Sequence, residues 1–582
     1  MELRRKLDGG KWPTMGDRNA HPVRRALEWW LGPSGRRIFV WLVWAGLTAT
    51  AGGYIWEYGP NLPVHDEWEF VPVLFDTPAK QLRWVIERHG EHRYPLARLL
   101  DLALFHSSGG DFRAAMWGVL VLQAGAAAVF IRTAGRVRGR SAYSDCWFPI
   151  LLLHRGHAEN LIMGYQVAFL LTVFALALFV GLATSGTHRT DARTGWLGAA
   201  LLLALACGGG IGLLFVPFVG GWLLWRLTGG RTCPTAPSTI GAIVYNLFVL
   251  GIAAIGMLDA ATAPSVDKPE QSSTTVWTVF QTTANAFGSG LTSPHSEFGI
   301  LLVVAWTIAT GWLVQRAIVE RSERPRLLGY LAVIGGVATF VAVVALTRPN
   351  VPSARYSVVV ALAPCAVALA VAGRFPRSGL WTVSGAVFVA VGGAVVVRQN
   401  WIEAGGYGRN HINADHKVRA DVRAGMPVDL IARRHKYTID PRFREYWRIL
   451  WENNAGPIRG ARPPAAYRTT EAAPPARISE PNPDPLVMTY RLLEGPDRFA
   501  SAVRVRFRGA ERTWQGVRFR WIVPTPEAGV QLREEVYSPW IPAGEGELLL
   551  WVNGPVRSME LHVANDTPPV VPFAVEILEL DR

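Results

Sequence analysis

Cysteine is scarce in this chain. The four that occur, Cys146, Cys207, Cys233 and Cys365, all lie in or beside apolar runs. None falls in the C-terminal tail, and no Cys-x-x-Cys or Cys/His zinc spacing exists, which excludes a disulfide-stapled scaffold and a zinc ribbon. Charge is also thin, at 18% of residues, and Lys is so rare that the net charge of +14 comes almost wholly from Arg. A cleavable signal peptide is missing. The first 36 residues are polar and basic, and the apolar run after them is too long for a signal-peptide core, so it reads as a retained signal anchor. No internal repeat is visible. Hydrophobic residues, by contrast, make up 50% of the 582 positions. Apolar runs of about 18 residues or more, each long enough to cross a bilayer, recur from Arg37 to Gln399. They exclude a soluble enzyme, a disordered chain and a fibrous one. Mean hydropathy is only +0.18 because a long polar tail dilutes the apolar part. The pI of 9.9 then follows from arginines flanking spans and needs no nucleic-acid partner.

The expected fold is mainly α: a polytopic transmembrane helical bundle of about eleven spans with a C-terminal extracytoplasmic β-sandwich. Nine basic residues precede the first span (about Arg37 to Trp56), which puts the N-terminus in the cytoplasm. The second span covers Ala114 to Ile131, and a short third segment, Cys146 to Leu153, leads back out. Tyr165 to Leu182 is the fourth. The stretch Trp196 to Trp225, broken at Gly208-Gly209-Gly210, holds the fifth and sixth. The rest are Ile240 to Met257, Phe298 to Val314, Leu327 to Leu346, Tyr356 to Ala372 and Leu380 to Val397. Each short loop assigned inside carries at least two Arg. Arg155, Lys268, Arg348 and Arg355 are the main exceptions outside. Eleven crossings leave the tail outside a cytoplasmic (inner) membrane.

The domain reading is a basic N-terminus (1–36), a transmembrane domain (37–399) with a large outer loop at 58–112, an outer helical segment (400–465), a Pro-rich linker (466–487) and a β-sandwich (488–582). In the helical segment Phe443, Tyr446, Trp447 and Leu450 share one face. Beyond the linker the period changes to two. Val503, Val505 and Phe507 alternate with arginines, as do Val517, Phe519 and Trp521, and Met559, Leu561 and Val563 repeat the pattern.

Candidate chemistry gathers at the outer edge. The large loop carries His65-Asp66-Glu67-Trp68 soon after the first span, then two mixed-polarity helical stretches with His89-Gly90-Glu91-His92-Arg93 between them. Asp66 is the candidate general base for a hydroxyl acceptor; a cap or loop anchor is the plain alternative. Glu67 could exchange roles with it, but neighbours in extended chain face opposite ways, so one of the two enters a site. Glu91 is a third acid, with a surface ion pair to Arg88 or Arg93 as its ordinary explanation. Arg93 and Arg355 are candidate phosphate ligands because a guanidinium offers a planar fork of donors; snorkelling would equally account for Arg355. His65, His92, Glu159, Asn160 and Gln166 could line the same cavity, and so could Tyr356 beside Arg355. No His-x-His or HExxH pattern supports a metal.

With these residues in view, the chain resembles the polytopic GT-C-type glycosyltransferases that use polyprenyl-phosphate sugars, and more narrowly an uncharacterised bacterial branch of them. The resemblance covers about residues 37–400, plus the helical piece after them. It rests on Asp66-Glu67-Trp68, Gly90-Glu91-His92-Arg93, Glu159-Asn160-Leu161-Ile162-Met163-Gly164-Tyr165-Gln166 and Ser353-Ala354-Arg355-Tyr356. Gly90 stands where the pattern has Asn, and Ala354 interrupts a Ser-Arg-Tyr signature. The resemblance implies inverting sugar transfer from a polyprenyl-phosphate-linked sugar to a glycan, glycolipid or protein hydroxyl outside the membrane. Asp66 would be the base, with Arg93, Arg355 and Tyr356 near the donor phosphate and no cofactor required. Its expected partners are that donor, the acceptor and membrane lipids. A lipid-linked glycan flippase, a polysaccharide polymerase or ligase, and a membrane protein displaying a glycan-binding β-domain are the competing readings. A flippase would need ionisable residues near the bilayer midplane, where the sequence has few.

Overall fold

The computed structural model describes residues 32–89, 93–185, 192–228, 237–261, 296–347, 354–374, 379–423, 426, 431, 441–459, 467–471, 476–477, 487–509, 513–514, 517–523, 531–537, 540–541, 544–564 and 571–580. Its contacts divide the chain into two compact units. The first takes residues up to Pro60 and from Asp76 to Ile412; the second takes Asn61–Phe75 and everything from Asn413 on. The large loop therefore belongs to both.

The first unit is helical. The main helices are α1 (Pro33–Tyr58), α2 (Pro78–Ile86), α3 (Pro95–Ser107), α4 (Arg113–Arg138), α5 (Trp147–Leu153), α6 (Val167–Thr184), α7 (Ala192–Cys207), α8 (Gly210–Thr228), α9 (Pro237–Ala261), α10 (Ser296–Val319), α11 (Arg324–Thr347), α12 (Leu362–Arg374) and α13 (Gly379–Arg423). Helices α1, α2 and α3 open on proline, whose fixed φ suits a first turn that needs no N–H donor. Gly139 ends α4 at φ +72°, a conformation glycine adopts without steric cost.

Among the described residues, seven helical stretches are long and apolar enough to cross a membrane: Pro33–Tyr58, Arg113–Arg138, Gly164–Thr184, Gly210–Thr228, Ile240–Leu258, Arg324–Thr347 and Ser357–Arg374. These coincide with seven of the eleven expected spans. Thr194–Cys207 and Val303–Val319 are shorter apolar helices. The last expected span falls inside α13, which runs unbroken past the expected boundary at 400. Outward faces are oily, as a bilayer requires: Val244, Phe248, Ile255 and Leu258 on α9 are all at least 60% exposed.

The expected third segment is a seven-residue helix, about 10 Å long, which is too short to span by itself. Phe148 through Leu153 are all buried, so it runs through protein and not lipid. Its flanks reach opposite ends of the bundle. Asp145 pairs with Arg138 at the end of α4, and Arg155 donates to the Thr50 carbonyl on α1. The glycine break is a tight turn between α7 and α8, with Gly209 at φ +109° and its α-carbon against Tyr94. A side chain there would be strained and would meet the Tyr94 Cβ at 3.2 Å.

In the second unit, α14 (Pro441–Glu452) buries Trp447 and Leu450, and Trp447 packs on Trp68 with ring centroids 5.0 Å apart. Strands β1 (Tyr467–Glu471), β2 (Ala476–Arg477), β3 (Val487–Gly509), β5 (Val517–Val523), β6 (Gln531–Tyr537), β8 (Gly544–Ala564) and β9 (Val571–Leu580) form one antiparallel sheet, ordered β1-β9-β3-β8-β5-β6 with β2 on β3. The small strands β4 (Thr513–Trp514) and β7 (Trp540–Ile541) pair separately. The sheet begins inside the Pro-rich stretch, since Tyr467–Glu471 pairs with the last strand. Strand β3 runs through Gly495-Pro496 with a register shift between Glu494 and Arg498. One half of β3 pairs with β2 and β8, and the other with β8 and β9. Tyr490, Met559 and Trp521 from one half share a core with Val503, Val505 and Ile577 from the other.

Candidate functional site

The two ends of the helical unit differ in charge. At one end Arg138 pairs with Asp145, Arg316 with Glu320 and Arg326 with Glu323. A polar cavity of about 150 Å³ lined in part by Arg226, Arg326, Ser185 and Glu323 lies there too. At the other end the charges are fewer and sit among tyrosines. Between the ends, the buried polar side chains described in the seven stretches are neutral: Gln123, Thr133, Gln166, Thr172, Asn246 and Ser357.

The tyrosine-rich end assembles from four parts of the chain: the last turns of α1, the segment 154–166, the residues 354–357, and 401–411 of α13. Arg355 is the hub. Its backbone N–H donates to Glu159 Oε2 at 3.1 Å, and its guanidinium Nη1 donates to the Tyr165 hydroxyl at 3.1 Å. Its Nε lies 3.9 Å from Glu159 Oε1, a loose ion pair. The Arg355 carbonyl accepts from Asn160 Nδ2 at 3.2 Å. Burial opposes the Arg355 charge, but the facing Tyr356, Tyr165 and Glu159 outweigh it and raise its pKa. The Tyr356 ring stacks on Phe169 and meets Phe340 edge-on.

His157 fixes the same segment from below. Its ring nitrogens face Ser357 Oγ and the Leu151 carbonyl, each at 2.9 Å, and burial pushes its pKa down to about 4. Gln166 is fully buried, and neither side-chain amide atom has a hydrogen-bond partner. Asn160 Oδ1 is also buried without one. A buried amide left without a protein partner is costly. Above Glu159, the Tyr407 hydroxyl is raised in pKa by burial and then by the Glu159 charge.

Of the residues expected from sequence, Glu159, Asn160, Gln166, Arg355 and Tyr356 come together in this unit. Arg93 is exposed at the junction of α2 and α3, donating to the Ile86 carbonyl at 2.6 Å. The buried cation of that junction is Arg98, which donates to the carbonyls of Trp84 and Glu87 and lies over the rings of Trp84 and Tyr94. Glu91 and His92 lie outside the described residues. His65, Asp66 and Glu67 belong to the second unit, on a 3-10 helix spanning His65–Phe70. Glu67 is buried and its carboxylate accepts from the Val64 N–H at 2.8 Å, so it serves this turn. Asp66 is exposed. His65 holds φ +50°, an unfavourable conformation for a residue with a side chain. Among the described residues no group of three His, Cys, Asp or Glu could hold a metal.

Sequence reasoning passed over two residues here. Arg155 lies over the Trp401 ring, 3.3 Å from its centroid, and 5.4 Å from that of Tyr54. Their signals were present: Arg155 breaks the charge bias of its loop, and Trp401 follows directly on the last apolar run.

No family model matches the chain, and no curated protein matches it in sequence.

Proposed function

We propose that the chain is a membrane glycosyltransferase that moves a sugar from a polyprenyl-phosphate carrier to a hydroxyl acceptor on the extracytoplasmic face. The observation that carries this reading is the Arg355 cluster: a charged guanidinium held by Glu159 and Tyr165 at the ends of apolar helices, beside buried amides that lack partners. A lipid phosphate confined to the membrane boundary matches that position and charge. The neutral character of the described span interiors weighs for interfacial chemistry and against ion-coupled transport.

In this reading Arg93 and Arg355 attend the donor phosphate, and Tyr356 orients Arg355. Asp66 removes the acceptor proton. It is the exposed member of its acidic pair, while Glu67 is engaged in capping. The acceptor oxygen attacks the anomeric carbon as the carbon–phosphate oxygen bond breaks, and the anomeric centre inverts in this single displacement. The electron pair leaves on a phosphate whose growing charge Arg355 stabilises. Phosphate is a good leaving group without protonation, so one carboxylate suffices. His65, His92, Glu159, Asn160 and Gln166 contact sugar or acceptor, and the sheet, closed as a β-sandwich, steadies a glycan.

The test uses purified full-length protein with a panel of radiolabelled polyprenyl-phosphate sugars and a glycolipid extract. Transfer by wild type that is lost in Asp66→Asn, with the fold intact, is the expected result. Full transfer by Asp66→Asn removes Asp66 as base, and no turnover of any donor by wild type overturns the reading.

A further inference from the structure

The tyrosine-rich end holds a second cation whose surroundings are unlike those of Arg355. Arg155 lies between the Trp401 and Tyr54 rings. Among the described residues its five N–H donors find one acceptor, the Thr50 carbonyl, at a long 3.4 Å. Its Nε is buried with no hydrogen-bond partner. Among the described residues it makes no ion pair; Glu57 is the acid whose charge reaches it. Stacking uses the flat face of a guanidinium and leaves the N–H groups around its edge to seek acceptors. A partly buried cation with open donors, at the end of the helices where arginine is rare, is half of an anion site.

The other half is nearby. Tyr54 is fixed by donating its hydroxyl to the Ala404 carbonyl at 2.8 Å. Gly408 packs so closely on Tyr58 that a β-carbon there would lie 2.6 Å from the ring's Cγ. This close approach carries exposed Arg409 alongside α1; the Tyr58 hydroxyl there is engaged first by the Glu57 carboxylate, and the charges of Arg409 and Arg155 oppose that more weakly. Arg155 and Arg409 thus lie at the junction of α1 and α13, with Trp401 as a flat wall that is 46% exposed.

We infer that Arg155, assisted by Arg409, forms a phosphate-binding position for the phosphomonoester of a membrane lipid. This deepens the proposed function by assigning a ligand for the phosphomonoester that the carrier becomes once its sugar has left, one that the sequence motifs do not include. The shared chemistry is a lipid or free phosphate, and the probes separate the sources.

Full-length protein in neutral-lipid nanodiscs would be titrated with a polyprenyl monophosphate, the matching polyprenol, phosphatidylglycerol and inorganic phosphate, read by tryptophan fluorescence and by retained radiolabel. Arg155→Gln should weaken polyprenyl-phosphate binding tenfold or more, and Arg155→Lys should recover part of the loss. The polyprenol should bind weakly to all forms. Tight binding of phosphatidylglycerol or of inorganic phosphate, lost in Arg155→Gln, would keep the phosphate position and reassign its occupant. Unchanged affinity in Arg155→Gln would overturn the inference; sugar transfer that persists in that variant would leave the glycosyltransferase reading standing. Loss of binding in Arg155→Gln with no transfer by wild type would do the reverse. Arg409→Gln is a second variant away from the Trp401 stack, expected to weaken binding severalfold. A thermal melt within a few degrees of wild type keeps either loss from being ascribed to unfolding.

Discussion

Glu159 does two separable jobs, and substitution can tell them apart. One oxygen accepts the Arg355 backbone N–H at 3.1 Å, and the other faces the guanidinium at 3.9 Å. For unit charges at that distance the Coulomb term is about 4 kcal/mol at an effective dielectric near 20. Both side chains are about one-fifth exposed, so solvent screens the pair, and the cost of desolvating two charges offsets much of the rest. We expect a net of about 1 kcal/mol for the charge. Glu159→Gln keeps an acceptor for the backbone N–H and should lose only that. Glu159→Ala also strands the N–H, which adds ~1–2 kcal/mol. Denaturant unfolding in detergent would measure both, with Arg355→Gln completing a double-mutant cycle against Glu159→Gln. If Gln costs as much as Ala, or the coupling is below about 0.3 kcal/mol, the two-job account is wrong.

His157 gives a pH signature. Its folded pKa of about 4 lies below the unfolded value of about 6.5, so the unfolded chain binds the proton first. Stability should be full above about pH 6.5 and fall by ~3 kcal/mol as pH drops toward 4, a slope that His157→Asn should abolish in unfolding curves taken across that window. Trp447 is fully buried against Trp68, and Trp447→Ala should destabilise the second unit by about 3–5 kcal/mol. Proteolysis read by fragment mapping should then release that unit before the helical one; equal resistance of the two would count against the assignment.

The long apolar runs were readable because a span needs only length and composition, and seven recur as helices of the expected extent. The strands were readable from alternation: Val503 and Val505 are buried while Arg506 is exposed. Trp447 and Leu450 lie on the buried side of α14, where the helical period put them. The start of the sheet was not readable, because Tyr467–Glu471 lies in the stretch that reads as linker and is a strand only through its pairing with β9. In the site, residue types were legible but pairings were not. Glu159 and the Arg355 N–H are 196 positions apart, and no local pattern encodes such a partner. Arg155 over Trp401 is a similar case, with about two-thirds of the membrane region's length between them.

The path from α5 to α6 has a consequence for how the protein is made. Its backbone is not helical throughout, and it is held by side chains brought from elsewhere: Gln123 donates to the Leu152 carbonyl, and the His157 ring hydrogen-bonds the Ser357 hydroxyl, 200 positions later. A non-helical segment cannot rest in lipid by itself, since bare peptide groups there are costly. It must wait beside α4, shielded by water or by the insertion machinery, until the chain around Ser357 emerges. Biogenesis should therefore have a late commitment step, and ribosome-stalled chains ending before α11 should remain sensitive to protease at 154–166 after the earlier spans have inserted.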